Sequence, residues 1–283
     1  MYKFDSRVRY SELAEDKKLS LVSIINYFQD CCTFEAEDAG VGLAWLAERH
    51  DAWMLINWHI RINRRPDYAE KIHVKTWAIG FKHFIGERNF TVTTDDGEML
   101  IYAYSKWAYV NTEIGAPEKS IPQAEVDAYG ISEPLDAEFK KGKIKLPEEM
   151  TAVDPITVTE GNLDTNHHVN NAEYMGLALS AVSNYLNRIA AEGSTSPKAD
   201  GRDVEETVRK TEDSSSGTGE SASLYQGLLN NVSEIRAEYK LQSVLGDVIY
   251  PFVALCDNII SVVLKDADGN PKLIAELELS DVK

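Results

Sequence analysis

The sequence predicts an α+β fold of two tandem units, each with one long helix and an antiparallel sheet. Three observations carry this. Apolar residues at helical spacing occur in two long stretches, starting near residues 20 and 171. Each stretch is followed by four runs with the period of strands. The chain has 283 residues, of which 43% are hydrophobic, enough for two ordinary cores.

The first half opens on the alternation Met1-Tyr2-Lys3-Phe4-Asp5. Residues 19–39 then read as a helix, with Leu21, Ile24, Ile25, Phe28, Cys31 and Cys32 on one stripe. Ser20 is placed to cap its start and Gly40 to end it. Strand-like runs follow at 53–63, 71–79, 84–94 and 99–111. In the first of them Met54, Ile56, Trp58, Ile60 and Ile62 share a face. Asp95-Asp96-Gly97 joins the last two as a hairpin turn.

The second half repeats the plan. A strand at 155–160 precedes a helix at 171–191, and strands are expected at 232–241, 248–257, 259–265 and 273–279. Asp266-Ala267-Asp268-Gly269-Asn270-Pro271 forms the last turn. The second copy is longer between helix and sheet. Its surplus, residues 193–223, is polar and rich in serine and glycine, and is expected to be a flexible insertion dispensable for catalysis. The expected domains are 1–125, a linker at 126–150 carrying Lys140, Lys141, Lys143 and Lys145, and 151–283. One long helix against a curved antiparallel sheet, twice over, is a double hotdog.

Composition excludes several classes. The net charge of −17, from 46 acids and 29 bases, disfavours nucleic acid and anionic lipid as partners. Cys31, Cys32 and Cys256 have no disulfide or zinc spacing and read as buried thiols. No run approaches the roughly 18 apolar residues of a membrane span, so a cytoplasmic protein without stable membrane association is expected. There is no Gly-rich phosphate loop, Gly-x-Ser-x-Gly elbow or metal-ligand spacing, so no cofactor or metal is expected.

The densest polar cluster, residues 162–174, lies between a strand and a helix start. Asn170 with Glu173 has capping-box spacing. Capping leaves Asp164, Asn166 and His168 unaccounted for. In an extended stretch these three share a face and present a carboxylate, an amide and an imidazole together. Acyl transfer needs a base or nucleophile, an orienting group and oxyanion stabilisation, and the helix start beyond offers N–H groups and a positive dipole end. The corresponding stretch of the first half, Asp16-Lys17-Lys18-Leu19-Ser20, has no such cluster, so one catalytic centre per chain is expected.

The run Leu163-Asp164-Thr165-Asn166-His167-His168-Val169-Asn170-Asn171 resembles the Leu-Asp-x-Asn-x-His-Val-Asn-Asn signature of plant and bacterial acyl-ACP thioesterases. Asn26-Tyr27-Phe28-Gln29-Asp30, Tyr104-Ser105-Lys106-Trp107-Ala108 and Ile121-Pro122 extend the resemblance. It implies that Asp164, Asn166 and His168 are catalytic. It implies hydrolysis of fatty acyl-ACP to free fatty acid and ACP in fatty acid synthesis. The partner implied is an acyl carrier protein, and a homodimer is compatible with it. By charge, Arg61, Arg64, Arg65 and the linker lysines are the candidate basic patch for such a carrier, the lysines reading equally as a solvated linker. The first domain would shape the acyl tunnel, with Trp45, Trp53, Met54 and Trp58 read as plain core or as tunnel wall. A later family position carries adjacent Glu and Cys. Here Glu238-Tyr239-Lys240-Leu241-Gln242-Ser243 matches it, so Gln242 and Ser243 stand in their place. Gln242 can orient water or a neighbour by hydrogen bonding and is included in the site, whereas Ser243 is expected to bond locally. Two rival readings remain: an acyl-CoA thioesterase with the same chemistry, and a non-catalytic acyl-binding protein.

Overall fold

The computed structural model describes residues 1–192 and 227–280. The expected insertion at 193–223 lies outside the described residues. The chain divides into two compact units, residues 1–141 and 142–283.

In the first unit, β1 (Tyr2–Arg7) leads through a 3-10 turn (Tyr10–Glu12) to α1 (Leu21–Asp38) and α2 (Leu43–Glu48). Then come β2 (Asp51–Ile62), β3 (Lys71–Lys82), β4 (Ile85–Thr93), β5 (Met99–Asn111), the short β6 (Ala116–Pro117) and α3 (Gln123–Tyr129). The strands lie in the order β1-β3-β4-β5-β2, antiparallel throughout, with β6 beside β5.

The second unit has β7 (Thr151–Ala152), β8 (Ile156–Thr157), a 3-10 turn (Glu160–Asn162) and α4 (Asn171–Glu192). It continues with β9 (Val232–Tyr239), β10 (Val248–Cys256), β11 (Ile259–Lys265) and β12 (Pro271–Leu279). Its order, β7-β10-β11-β12-β9, is that of the first unit strand for strand, with the short β8 added beside β10. Each unit is a hotdog, one long helix against an antiparallel sheet.

Helix α1 forms where the sequence places it. The Ser20 hydroxyl accepts a hydrogen bond from the Ser23 N–H at 3.1 Å and so occupies one of the first-turn donors. Ser20→Ala is expected to cost about 1 kcal/mol in chemical denaturation, the usual worth of such a cap. The apolar stripe buries Ile24, Ile25, Phe28 and Cys31. Phe28 meets Phe90 at 4.9 Å and Trp58 at 5.6 Å between ring centroids. Burying a side chain of this size stabilises by about 2 kcal/mol. In α4 the stripe is Ala172, Met175, Ala178, Ala181, Val182 and Tyr185. No described helix is long and apolar enough to cross a membrane.

Three expectations need correction. The first strand does not keep one phase. A bulge between Leu55 and Asn57 shifts the register against β5, so Leu55 is buried in place of Met54 and Ile56, and only Trp58, Ile60 and Ile62 keep the predicted face. The stripe of α1 continues through Glu35, not Cys32. Glu35 is buried because it pairs with Arg88, whose guanidinium also donates to the Thr76 hydroxyl. The strand expected at 155–160 shrinks to β8, because residues 160–162 turn into a 3-10 helix. Of the three free thiols, only Cys31 is fully buried.

Candidate active site

The polar cluster does not lie in an extended strand. Leu163 and Val169 pair as an isolated antiparallel bridge, and residues 164–168 make a tight turn between them. The Asp164 N–H donates to the His168 carbonyl at 2.8 Å, and the His167 N–H donates to the Asp164 carbonyl at 3.1 Å. His167 takes the left-handed conformation, φ 60°, and is exposed. Strand alternation therefore does not bring Asp164, Asn166 and His168 together.

The Asp164 carboxylate does. Its Oδ1 accepts the N–H of Asn166 at 2.8 Å and of His168 at 3.3 Å, an Asx turn that wraps both residues around it. Its Oδ2 takes no hydrogen bond from the described residues. Asp164 and His168 are half-buried and Asn166 is exposed.

The loop is anchored from below. The Val169 N–H donates to the Ser243 carbonyl at 2.9 Å, and the Asn170 N–H donates to the Asn162 carbonyl at 2.9 Å. Asn170 caps α4 as expected, its side-chain oxygen accepting the Ala172 N–H at 2.8 Å. Glu173 does not complete a capping box. It accepts from the Asn162 side-chain amide at 3.1 Å instead.

Gln242 is not in a strand. β9 ends at Tyr239, so Gln242 sits in the loop toward β10, exposed. The Val169–Ser243 hydrogen bond puts it one residue from the contact, as His168 is on the other side. Ser243 is buried.

The first unit holds the same loop without these side chains. Leu13 and Leu19 form the bridge, the Ala14 N–H donates to the Lys18 carbonyl at 2.8 Å, and the Lys17 N–H donates to the Ala14 carbonyl at 3.0 Å. Lys17 has φ 63°. Leu19 N–H to Pro66 and Ser20 N–H to Glu12 mirror the bonds from Val169 and Asn170. On this register Ala14 matches Asp164, Asp16 matches Asn166, Lys18 matches His168 and Arg65 matches Gln242. The backbone closes with alanine at the first position, and there the Lys18 N–H donates to the Asp16 carboxylate at 3.2 Å instead.

The twin also shows which positions meet. Arg65 is buried, pairs through its guanidinium with Asp16, and donates to the Leu19 carbonyl at 3.3 Å. In the first unit the place of the site is thus filled by an ion pair. Arg64 is held by Glu70 at 2.7 Å and Glu98 at 2.6 Å. Arg65 is buried and so is not available to dock a carrier, while Arg64 stays partly exposed in its ion pairs. The guanidinium charge was legible in the sequence, but its acidic partners at positions 16, 70 and 98 were not. Lys140, Lys141, Lys143 and Lys145 are all exposed.

Sequence reasoning missed the residues that hold the Gln242 loop. The Tyr174 hydroxyl donates to the Leu241 carbonyl at 3.2 Å, the Tyr239 hydroxyl donates to the Asn171 carbonyl at 2.9 Å, and the Lys272 ammonium donates to the Gln242 carbonyl at 2.8 Å. For Lys272 the sequence offered no signal beyond a lysine near the start of a strand.

Comparison with known proteins finds acyl-ACP thioesterases. Residues 1–123 match the family described as acyl-ACP thioesterase N-terminal domain. Over 188 residues the chain is 24% identical to palmitoyl-acyl carrier protein thioesterase of Cuphea hookeriana, covering 62% of this chain and 45% of that one. It is 25% identical to dodecanoyl-[acyl-carrier-protein] hydrolase of Cinnamomum camphora over 189 residues, covering 62% and 49%. The chain spans about half the length of these curated relatives. An acyl-ACP thioesterase from Bacteroides thetaiotaomicron superposes with a TM-score of 0.75 at 21% identity, covering 98% of this chain and 97% of the other. The 12:0-ACP thioesterase of Umbellularia californica gives 0.73 at 18% identity, covering 99% and 96%. By sequence in its first unit and by fold across both, the chain is similar to the acyl-ACP thioesterases.

Proposed function

We propose that the chain hydrolyses fatty acyl thioesters carried on an acyl carrier protein, and that the second unit performs the chemistry. The observation that carries this is the contrast between the twin loops. One backbone is built twice, and only one copy is furnished with Asp164, Asn166, His168 and Gln242.

In this reading Asp164 is the base. Its Oδ1 is engaged by two backbone N–H groups, which fix the carboxylate and leave Oδ2 for a water. The water oxygen adds to the thioester carbonyl carbon while its proton passes to Asp164. The carbon–sulfur bond then breaks, and the departing thiolate takes the proton. Asn166, His168 and Gln242 orient the water and the carbonyl. The start of α4, with its positive dipole end, favours the negative charge developing on the carbonyl oxygen. Like the names of the relatives, the exposed linker lysines support a carrier protein as the donor.

Thiol release from an acyl-ACP series, run beside the matching acyl-CoAs, tests the reading. Acyl-ACP is expected to be preferred. Its kcat/KM is expected to fall as salt rises, because attraction between the lysines and an acidic carrier is screened over roughly 10 Å at 0.1 M ionic strength. A preference for acyl-CoA at every salt concentration would give the role to acyl-CoA hydrolysis. Binding of acyl chains without thiol release would leave a non-catalytic acyl-binding protein.

A further inference from the structure

Three successive carbonyls of the loop after β9 are each held by a different element. Leu241 is held by Tyr174 of α4, Gln242 by Lys272 of β12, and Ser243 by Val169 of the Asp164 loop. Of the three donors only Lys272 is charged, and its placement is unusual for a lysine. Its side chain is 12% exposed. Its nearest carboxylate, Asp266, lies 3.8 Å away and already accepts the N–H groups of Asp268 and Asn270. The shortest contact of this ammonium is therefore a neutral carbonyl, that of Gln242.

The first unit shows what this position is when no site is present. The Lys240 N–H donates to the Lys272 carbonyl at 2.9 Å, just as the Asn63 N–H donates to the Leu100 carbonyl at 2.9 Å. Lys272 thus stands where the first unit has Leu100, a core residue with 0% exposure. The fold asks for a leucine here and the second unit carries a lysine. Burying an ammonium costs free energy unless its hydrogen bonds repay it. In the first unit Arg65, at the Gln242 position, fastens its own loop through Asp16 and the Leu19 carbonyl. Gln242 has no charge with which to do the same, and in the second unit the charge comes from the neighbouring strand.

We propose that Lys272 is a positioning residue: it replaces the fastening lost with the Arg65-type ion pair and holds the Gln242 loop in register with the Asp164 loop. Its bearing on turnover rests on the hydrolase reading above. Its bearing on loop order does not.

The test uses the full chain with Lys272→Leu, which copies Leu100 and so suits the fold, Lys272→Met, which keeps the unbranched stem, and Lys272→Arg, which restores a donor. Hydrogen exchange at the Val169 amide reports docking of the two loops, since that amide donates to Ser243. In the Leu and Met variants it is expected to speed up about tenfold, the worth of one hydrogen bond to a charged group, and to return close to wild type in the Arg variant. On an acyl thioester, kcat is expected to fall about tenfold in the Leu and Met variants with KM changed less than about twofold, and the Arg variant to recover most of it. Unchanged Val169 exchange in both folded Leu and Met variants overturns the proposal whether or not the chain is a hydrolase. Faster exchange with no thioester hydrolysis even in wild type leaves the positioning role standing and removes the hydrolase reading.

Discussion

Asp164→Ala is expected to lower thioester turnover at least about a hundredfold, as for a group acting directly on the reacting atoms, with little change in folding. Removing an Asx turn normally carries the suspicion that activity is lost with the loop. The twin loop closes with Ala14 at the same place, its Lys18 N–H going to the Asp16 carboxylate instead, so the melt run beside the assay separates loss of chemistry from loss of the loop. His168→Ala, at the position held by Lys18 in the twin, is expected to lose activity to a similar degree. Thiol release read beside a thermal melt checks both. A folded variant of either kind with near-normal turnover would remove that residue from the site.

Glu125→Gln is expected to stabilise the protein in neutral and basic solution relative to its effect in acid. Glu125 lies on α3 with 0% exposure. Burial pushes its carboxyl up to about 7, from the ordinary 4.5 of a glutamate, and hydrogen bonds from Trp53 and Tyr129 offset part of that. Asp51 adds to the rise, and Arg49 opposes it. Below about pH 4.5 both folded and unfolded chains keep the proton, and the neutral acid rests comfortably in its apolar site. Between about 4.5 and 7 the unfolded chain releases the proton first and gains free energy. Above about 7 the folded chain holds a buried carboxylate, and the loss is complete. The window and the size of the shift correspond to roughly 3 kcal/mol. Glutamine does not titrate. The stability gap between variant and wild type should therefore move toward the variant by about that amount from pH 4.5 to pH 8 in denaturant titrations. A gap independent of pH would show that Glu125 ionises like an exposed acid.

Much of the architecture could be read from the residues because it depends on local periodicity. The stripe of Ile24, Ile25 and Phe28 and the cap at Ser20 define α1 without reference to anything distant. The turn at Asp95-Asp96-Gly97 does the same for β4 and β5. What escaped depends on pairing between remote segments or on one residue out of step. The extra residue near Ile56 cannot be seen in the alternation, yet it moves Leu55 into the core. Glu35 reads as a break in an apolar stripe until Arg88 is known to face it. At the site, Asp164, Asn166 and His168 were legible as residue types, but their assumed extended geometry was wrong. An Asx turn closed by a left-handed residue leaves no periodic trace. Gln242 was legible only through resemblance, since its neighbourhood is made by a contact across more than 70 positions of chain, between Val169 and Ser243.

The doubled loop has a consequence for how this chain could be altered. One copy of the motif works as a rivet: Arg65 and Asp16 clamp it shut, Lys18 pairs with Asp67, and Lys17 faces outward. The other has no such clamp, and in its place stand the half-buried Asp164 and His168 with the exposed Asn166 and Gln242. The backbone is indifferent to the choice. Ala14, Asp16, Lys18, Arg65 and Leu100 therefore form a short catalogue of what separates an inert joint from a furnished centre in a single molecule, with each half serving as the blueprint for rebuilding the other.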